Sequence, residues 1–160
     1  MRSAAPELAR STLDAAPDAM VLIDSAGIIR FVNRRVSTLF GYSHDELVGR
    51  HVELLMPERF QDRHVHHRGD YGRNMRTRLM DQSLPLFGRR RDGSEFPVEI
   101  SLSPIEQQDD ELLIAAAIRD VTDRKLIEAE LIAARAASEE ARRGAESAQA
   151  AAEQAREMAD

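Results

Sequence analysis

The chain has 160 residues, of which 42% are hydrophobic and 31% charged, with a formal net charge of -6 and no cysteine. That suits one globular domain of ordinary size with length left for an extension. The acidic balance argues against a nucleic-acid surface, and the missing thiols exclude a disulfide framework, a cysteine nucleophile and a thiolate metal site.

In chain order, Leu8 and Leu13 sit among helix formers that stop before Pro17, which predicts an amphipathic lead-in helix closing the segment 1–15. No run there or later is apolar and long enough for a signal peptide or a membrane span, which fits a cytoplasmic setting. Ala19 to Asp24 and Gly27 to Asn33 are β-rich runs flanking the turn residues Asp24 to Gly27, and so read as a hairpin. From Arg34 the apolar residues come in bursts broken by Gly41, Gly49 and Pro57, too short for a long helix, and three brief helical turns in series are expected. Ser43 and Glu46 have the spacing of a capping box. A longer helix then runs from Pro57 to about Tyr71 and carries Phe60, His64, His67 and Arg68.

A polar link, Arg73 to Arg78, leads to a second hairpin between Leu84 and Ile105, turning at Asp92-Gly93. Beyond the turn Phe96, Val98, Ile100 and Leu102 alternate with polar residues or proline, giving one apolar face that needs cover. Arg89, Arg90 and Arg91 at its tip read most simply as a solvated loop. Glu111 to Val121 is apolar almost throughout, as expected of a central strand buried on both faces. Strands at both ends with helices between them imply an α+β domain over 16–121, an antiparallel sheet with helices on one face.

Residues 122–160 are different material, rich in Ala, Glu and Arg. Ile127, Leu131, Ala134, Ser138, Ala141, Ala145, Ala148, Ala152, Ala155 and Ala159 follow an unbroken alternation of four and three. That pattern signals a dimeric coiled coil; a single solvated alanine-rich helix is the other reading. Ile127 and Leu131 are the residues placed to hold a pair together.

The segments DSAGIIRFVN, FGYSHDELVGR, GRRRDGSEFPVEISLSPI and IRDVTDRK, collinear between Asp14 and Lys125, resemble a PAS domain of the bacterial sensory type. The resemblance implies a five-stranded antiparallel sheet of order 2-1-5-4-3 under short helices, and a contact between Glu46 and one of Arg89, Arg90 and Arg91. It also implies an exit through Asp120-Val121-Thr122, similar to the family's D-I-T motif, with Asp120 and Thr122 able to cap the helix that follows. The light-sensing subclass, which holds flavin through a cysteine adduct, is excluded by composition.

In oxygen-sensing PAS domains of the FixL type a histidine on the long helix ligates heme iron, and counting back without a gap from Gly88–Gly93 puts His64 on that position. The same register puts Tyr71 on a family tyrosine, and Ile100 and Leu102 on the apolar wall of the gas side. It puts Leu79 and Met80 on two further pocket positions and brings Arg78 to where a propionate would lie. Leu84 stands where the FixL type has its oxygen-binding arginine, and His67 where a tyrosine is usual. The resemblance therefore implies heme b on His64, with a redox, carbon monoxide or nitric oxide response in place of arginine-assisted oxygen binding. The competing readings are a divalent ion shared by His64 and His67, with Asp70 the acidic residue nearby, and a pocket filled by side chains alone.

No catalytic set is legible, neither a Ser/His/Asp arrangement nor a phosphate-cradling glycine loop. The expectation is a non-enzymatic sensory and dimerisation module. It would pair through the coiled coil, with the lead-in helix as a second candidate contact, and relay a signal through Asp120, Thr122, Ile127 and Leu131 to an output domain outside these residues.

Overall fold

The lead-in helix α1 (Ala4–Ala15) is followed by the antiparallel pair β1 (Ala19–Asp24) and β2 (Ile29–Val32). The turn between the strands is built by Asp24, whose Oδ1 accepts from the backbone N–H groups of Ala26 (3.0 Å) and Ile28 (2.9 Å). The computed structural model describes residues 4–71, 78–79, 85–106 and 112–159. The chain divides after Val121 into two units.

The three expected helical turns are α2 (Arg34–Phe40), α3 (His44–Leu47) and a 3-10 turn at Val52–Leu55. Asn33 caps α2, and Gly41 ends it at φ +80, a backbone conformation that glycine adopts without strain. The capping box on α3 is complete: the Glu46 N–H donates to Ser43 Oγ at 3.3 Å, and the Ser43 N–H donates to Glu46 Oε2 at 2.8 Å. The long helix α4 spans Glu58–Tyr71, behind a buried Pro57.

The sheet continues with β3 (Arg78–Leu79), β4 (Leu86–Arg89), β5 (Glu95–Glu106) and β6 (Leu112–Asp120). Its order is β2-β1-β6-β5-β3, with β4 pairing β5 as well. Because β3 and β4 line successive stretches of β5, they share one position, and the sheet is the expected five-position antiparallel 2-1-5-4-3 arrangement. Arg78 is a correction: it belongs to a strand opposite Leu102, where the sequence pattern had placed it in the link.

The core lies between the sheet and the helices. Val21, Ile23, Ile29, Phe96, Val98, Ile114 and Ile118 contribute from the strands, and Val36, Phe40, Leu47 and Leu55 from the helical turns. β6 is the central strand, and Leu113, Ile114, Ala115 and Ala116 are buried in succession along it. Both of its faces are therefore covered at those positions, as its unbroken apolar composition predicts.

The second unit is α5 (Thr122–Glu157), 36 residues of helix with no buried residue. Arg124–Glu128 and Arg142–Glu146 pair at 3.6 Å along its surface, the i,i+4 arrangement that supports an exposed helix. Leu126, Ile127, Leu131 and Ile132 are all exposed.

Candidate functional site

His64 lies on α4 with its side chain 19% exposed, and its Nδ1 is 2.9 Å from Oε1 of Glu53 in the 3-10 turn. Glu53 is itself buried, and its second oxygen is 3.9 Å from His51 Nδ1. A carboxylate in such surroundings requires partners, because an unpaired buried charge is costly. Gln61, one turn before His64, donates from Nε2 to the Glu53 carbonyl (3.0 Å) and the Met56 carbonyl (3.2 Å), which joins α4 to the 3-10 turn. With Glu53 ionised, its carboxylate only accepts, so the contact is made by a proton on Nδ1; among the described residues His64 Nε2 has no hydrogen-bond partner. Sequence reasoning missed Glu53; its one local signal is a charge inside the apolar burst Val52–Met56.

Of the other pocket candidates, Ile100 and Leu102 are half-buried and packed against the core, in one row of β5 with buried Phe96 and Val98. Ile100 pairs with Ile118, and Leu102 with Ala116. Leu79 stands in register with Ser101, one position away from Leu102. Met80 and Leu84 lie outside the described residues. The backbone of α4 carries His67, Asp70 and Tyr71, whose side chains lie outside the description.

Arg91 remains exposed and meets Glu46, the partner expected for one of the hairpin arginines, while Arg89 and Arg90 correct the solvated-loop reading because each has a defined partner as well. Arg89 donates to Glu58 Oε1 at 3.0 Å, and Arg91 NH2 lies 2.9 Å from Glu46 Oε1. Arg90 is stacked 3.9 Å above the Phe96 ring centroid, donates from Nε to the Leu39 carbonyl at 3.1 Å, and reaches Asp120 Oδ2 at 3.3 Å. Phe96 in turn packs on Phe40 with ring centroids 5.3 Å apart. A continuous path therefore runs from the helix-side core through Phe96 and Arg90 to Asp120, the last residue of β6. Val121 is buried, and its N–H donates to the Pro97 carbonyl at 3.1 Å.

Two bidentate pairs fix the frame around this path. Arg59 donates to both oxygens of Glu95 at 2.7 Å, and Arg119 to both oxygens of Asp18 at 3.0 and 2.9 Å. The Arg59 hydrogen bonds hold the Glu95 carboxyl below its usual range, and Asp18 raises Arg119. Glu46 is held low by its hydrogen bonds to Ser43 and, secondarily, by Arg91. Thr122 opens α5, whose Ile127 and Leu131 are exposed.

Among solved structures, the PAS domain of an HTR-like protein from Haloarcula marismortui superposes with a TM-score of 0.59 at 22% identity, covering 72% of this chain and 90% of that one. The sensor protein FixL of Bradyrhizobium diazoefficiens is 34% identical over 122 residues, 76% of this chain and 24% of that protein. The cell-division control histidine kinase PdhS of Brucella abortus is 30% identical over 132 residues, 82% of this chain and 12% of that protein. The chain thus spans a quarter or less of these curated relatives. Residues 17–123 match the PAS domain family model, the stretch that contains the sheet, the helical turns and the exit at Asp120, and the chain belongs to the PAS domain family.

Proposed function

We propose that this chain is a non-enzymatic sensory and dimerisation module that passes a change in its PAS pocket to an output domain such as a histidine kinase. The observation that carries this is the exposed apolar row opened by Ile127 and Leu131, on a long helix that begins two residues after Asp120. Such a row calls for a second copy of the helix. A small displacement of the sheet at Ile118 to Asp120, transmitted by Phe96 and Arg90, would alter the pitch or register of the paired helices. The histidine-kinase relatives support a phosphotransfer output, and a cytoplasmic placement goes with it; among the described residues no helix is long and apolar enough to cross a membrane. Sedimentation tests the pairing: the unaltered chain runs as a dimer and the Ile127→Glu/Leu131→Glu chain as a monomer. A dimer that survives both substitutions removes α5 as the main contact and leaves α1.

A second reading concerns the ligand and is favoured by the state of His64. Its donor chemistry fits heme b: a half-buried imidazole has one nitrogen engaged by Glu53 and the other open among the described residues, with Ile100 and Leu102 as apolar walls. Heme would supply a redox or gas-responsive iron, while the protein's part is to present Nε2, exclude water and register the change on β5. Titration of the purified chain with hemin should give a sharp Soret band that is lost in His64→Ala. A band equally strong in that variant places the iron elsewhere.

A further inference from the structure

We propose that Glu53 is the positioning residue of His64: it fixes the imidazole so that Nε2 is its one ligating atom, and it holds down the reduction potential of iron bound there. The proposal rests on the reading of His64 as a heme ligand. The geometry behind it is independent of that reading. Glu53 is 8% exposed, its Oε1 lies 2.9 Å from His64 Nδ1, and the only proton that can occupy that contact with an ionised carboxylate is the one on Nδ1. The turn that carries Glu53 is itself held, because Gln61 donates from α4 to the Glu53 main-chain carbonyl, and His51 Nδ1 stands 3.9 Å from Oε2. Gln61 and His64 lie three residues apart on α4, so the residue that fixes the 3-10 turn and the residue that the turn orients share one helix face.

A histidine that ligates a metal through one nitrogen takes its basicity from the hydrogen bond made by the other. A neutral acceptor such as a carbonyl leaves the ring an ordinary imidazole, whereas a buried carboxylate draws the Nδ1 proton toward itself and gives the ring imidazolate character. That extra negative charge stabilises ferric iron over ferrous, and so lowers the potential.

The substitution that isolates the charge is Glu53→Gln, since the glutamine carbonyl still accepts from Nδ1 in the same place. Two measurements on the full chain decide the matter. In heme-free protein at mildly alkaline pH, nitrogen NMR of His64 should report the proton on Nδ1 and a bare Nε2; a protonated Nε2 overturns the proposal. In hemin-loaded protein, Glu53→Gln should bind heme in the same ratio as the unaltered chain, with a raised reduction potential and a lowered iron–histidine stretching frequency. An unmoved potential and stretch in loaded Glu53→Gln overturn it, because a purely structural role would leave both unchanged. If the unaltered chain gives no Soret band, the heme reading fails and the iron half of the proposal fails with it, while the NMR result still judges Glu53 as the residue that orients His64.

Discussion

A Cβ built at Gly88 would lie 2.8 Å from Cζ of Phe96, closer than Cβ atoms approach carbon in folded proteins, and a tight 3.0 Å from Cε1 of Phe40. The glycine is there for closeness, since its strand passes directly against the Phe40–Phe96 pair on which Arg90 is stacked. Gly88→Ala must push one ring away, and overpacking of this kind costs about 1–3 kcal/mol, more than the smaller gain from a less flexible unfolded chain. Urea unfolding should show a lowered midpoint at unchanged slope; an unshifted midpoint would mean that the rings yield freely. Asn33, 1% exposed, is the polar counterpart. Its Nδ2 donates to the carbonyls of Leu13 (2.8 Å) and Asp18 (3.0 Å) and its Oδ1 accepts from Met20 N–H (2.9 Å), so one side chain joins the end of α1 to β1 while capping α2. In the sequence it is only the last residue of a β-rich run, because nothing local distinguishes an asparagine that caps from one that is also buried.

At the scale of elements, the β4–β5 hairpin is held to the helices by carboxylates whose ionisation the fold favours. Glu95 and Glu46 both have folded pKa values below the ordinary 4.5, Glu95 through Arg59 and Glu46 through Ser43 and then Arg91, and Asp92 at the turn lies below 3.8 through Ser94. A carboxylate with a depressed folded pKa adds stability that is complete above its unfolded value and is lost as pH falls through its folded one. Stability should therefore be level from neutrality to just above pH 4.5 and decline below it. In Glu95→Gln, unfolding midpoints measured across that acid range should fall less steeply; the same slope in the variant would remove Glu95 from the account. Local pattern made the elements legible, and partners distant in sequence hid the rest. The Asp92-Gly93 turn, the Ser43/Glu46 capping box and the alternation from Phe96 to Leu102 are each written within a few residues, and each appears in the fold. The partners of Arg89 and Arg90 lie 31 and 30 residues away, and Glu53 lies 11 from His64, separations at which composition carries no signal. β3 was hidden for a related reason: two residues become a strand there because the edge of β5 is available to them.

The whole molecule joins two kinds of stability. The unit ending at Val121 has a core that includes Val21, Phe40, Ile114 and Ile118, so its unfolding is a property of the single chain. α5 has no buried residue, and a helix of alanine, glutamate and arginine gains only a few tenths of a kcal/mol from each of its surface ion pairs. On the pairing proposed above, what holds it beyond intrinsic propensity and those ion pairs comes from association, which is governed by mass action. The two should therefore melt differently. Helical ellipticity, to which the 36 residues of α5 contribute strongly, should have a component whose midpoint rises with protein concentration. The transition followed through Tyr42, which packs against the core, should stay fixed. In Ile127→Glu/Leu131→Glu the concentration-dependent component should move to lower temperature and lose its concentration dependence, with the Tyr42 transition unmoved. Coincident melting of both signals at every concentration would mean that α5 draws its stability from its own chain, and a relay working through paired helices would then have no pair to act on.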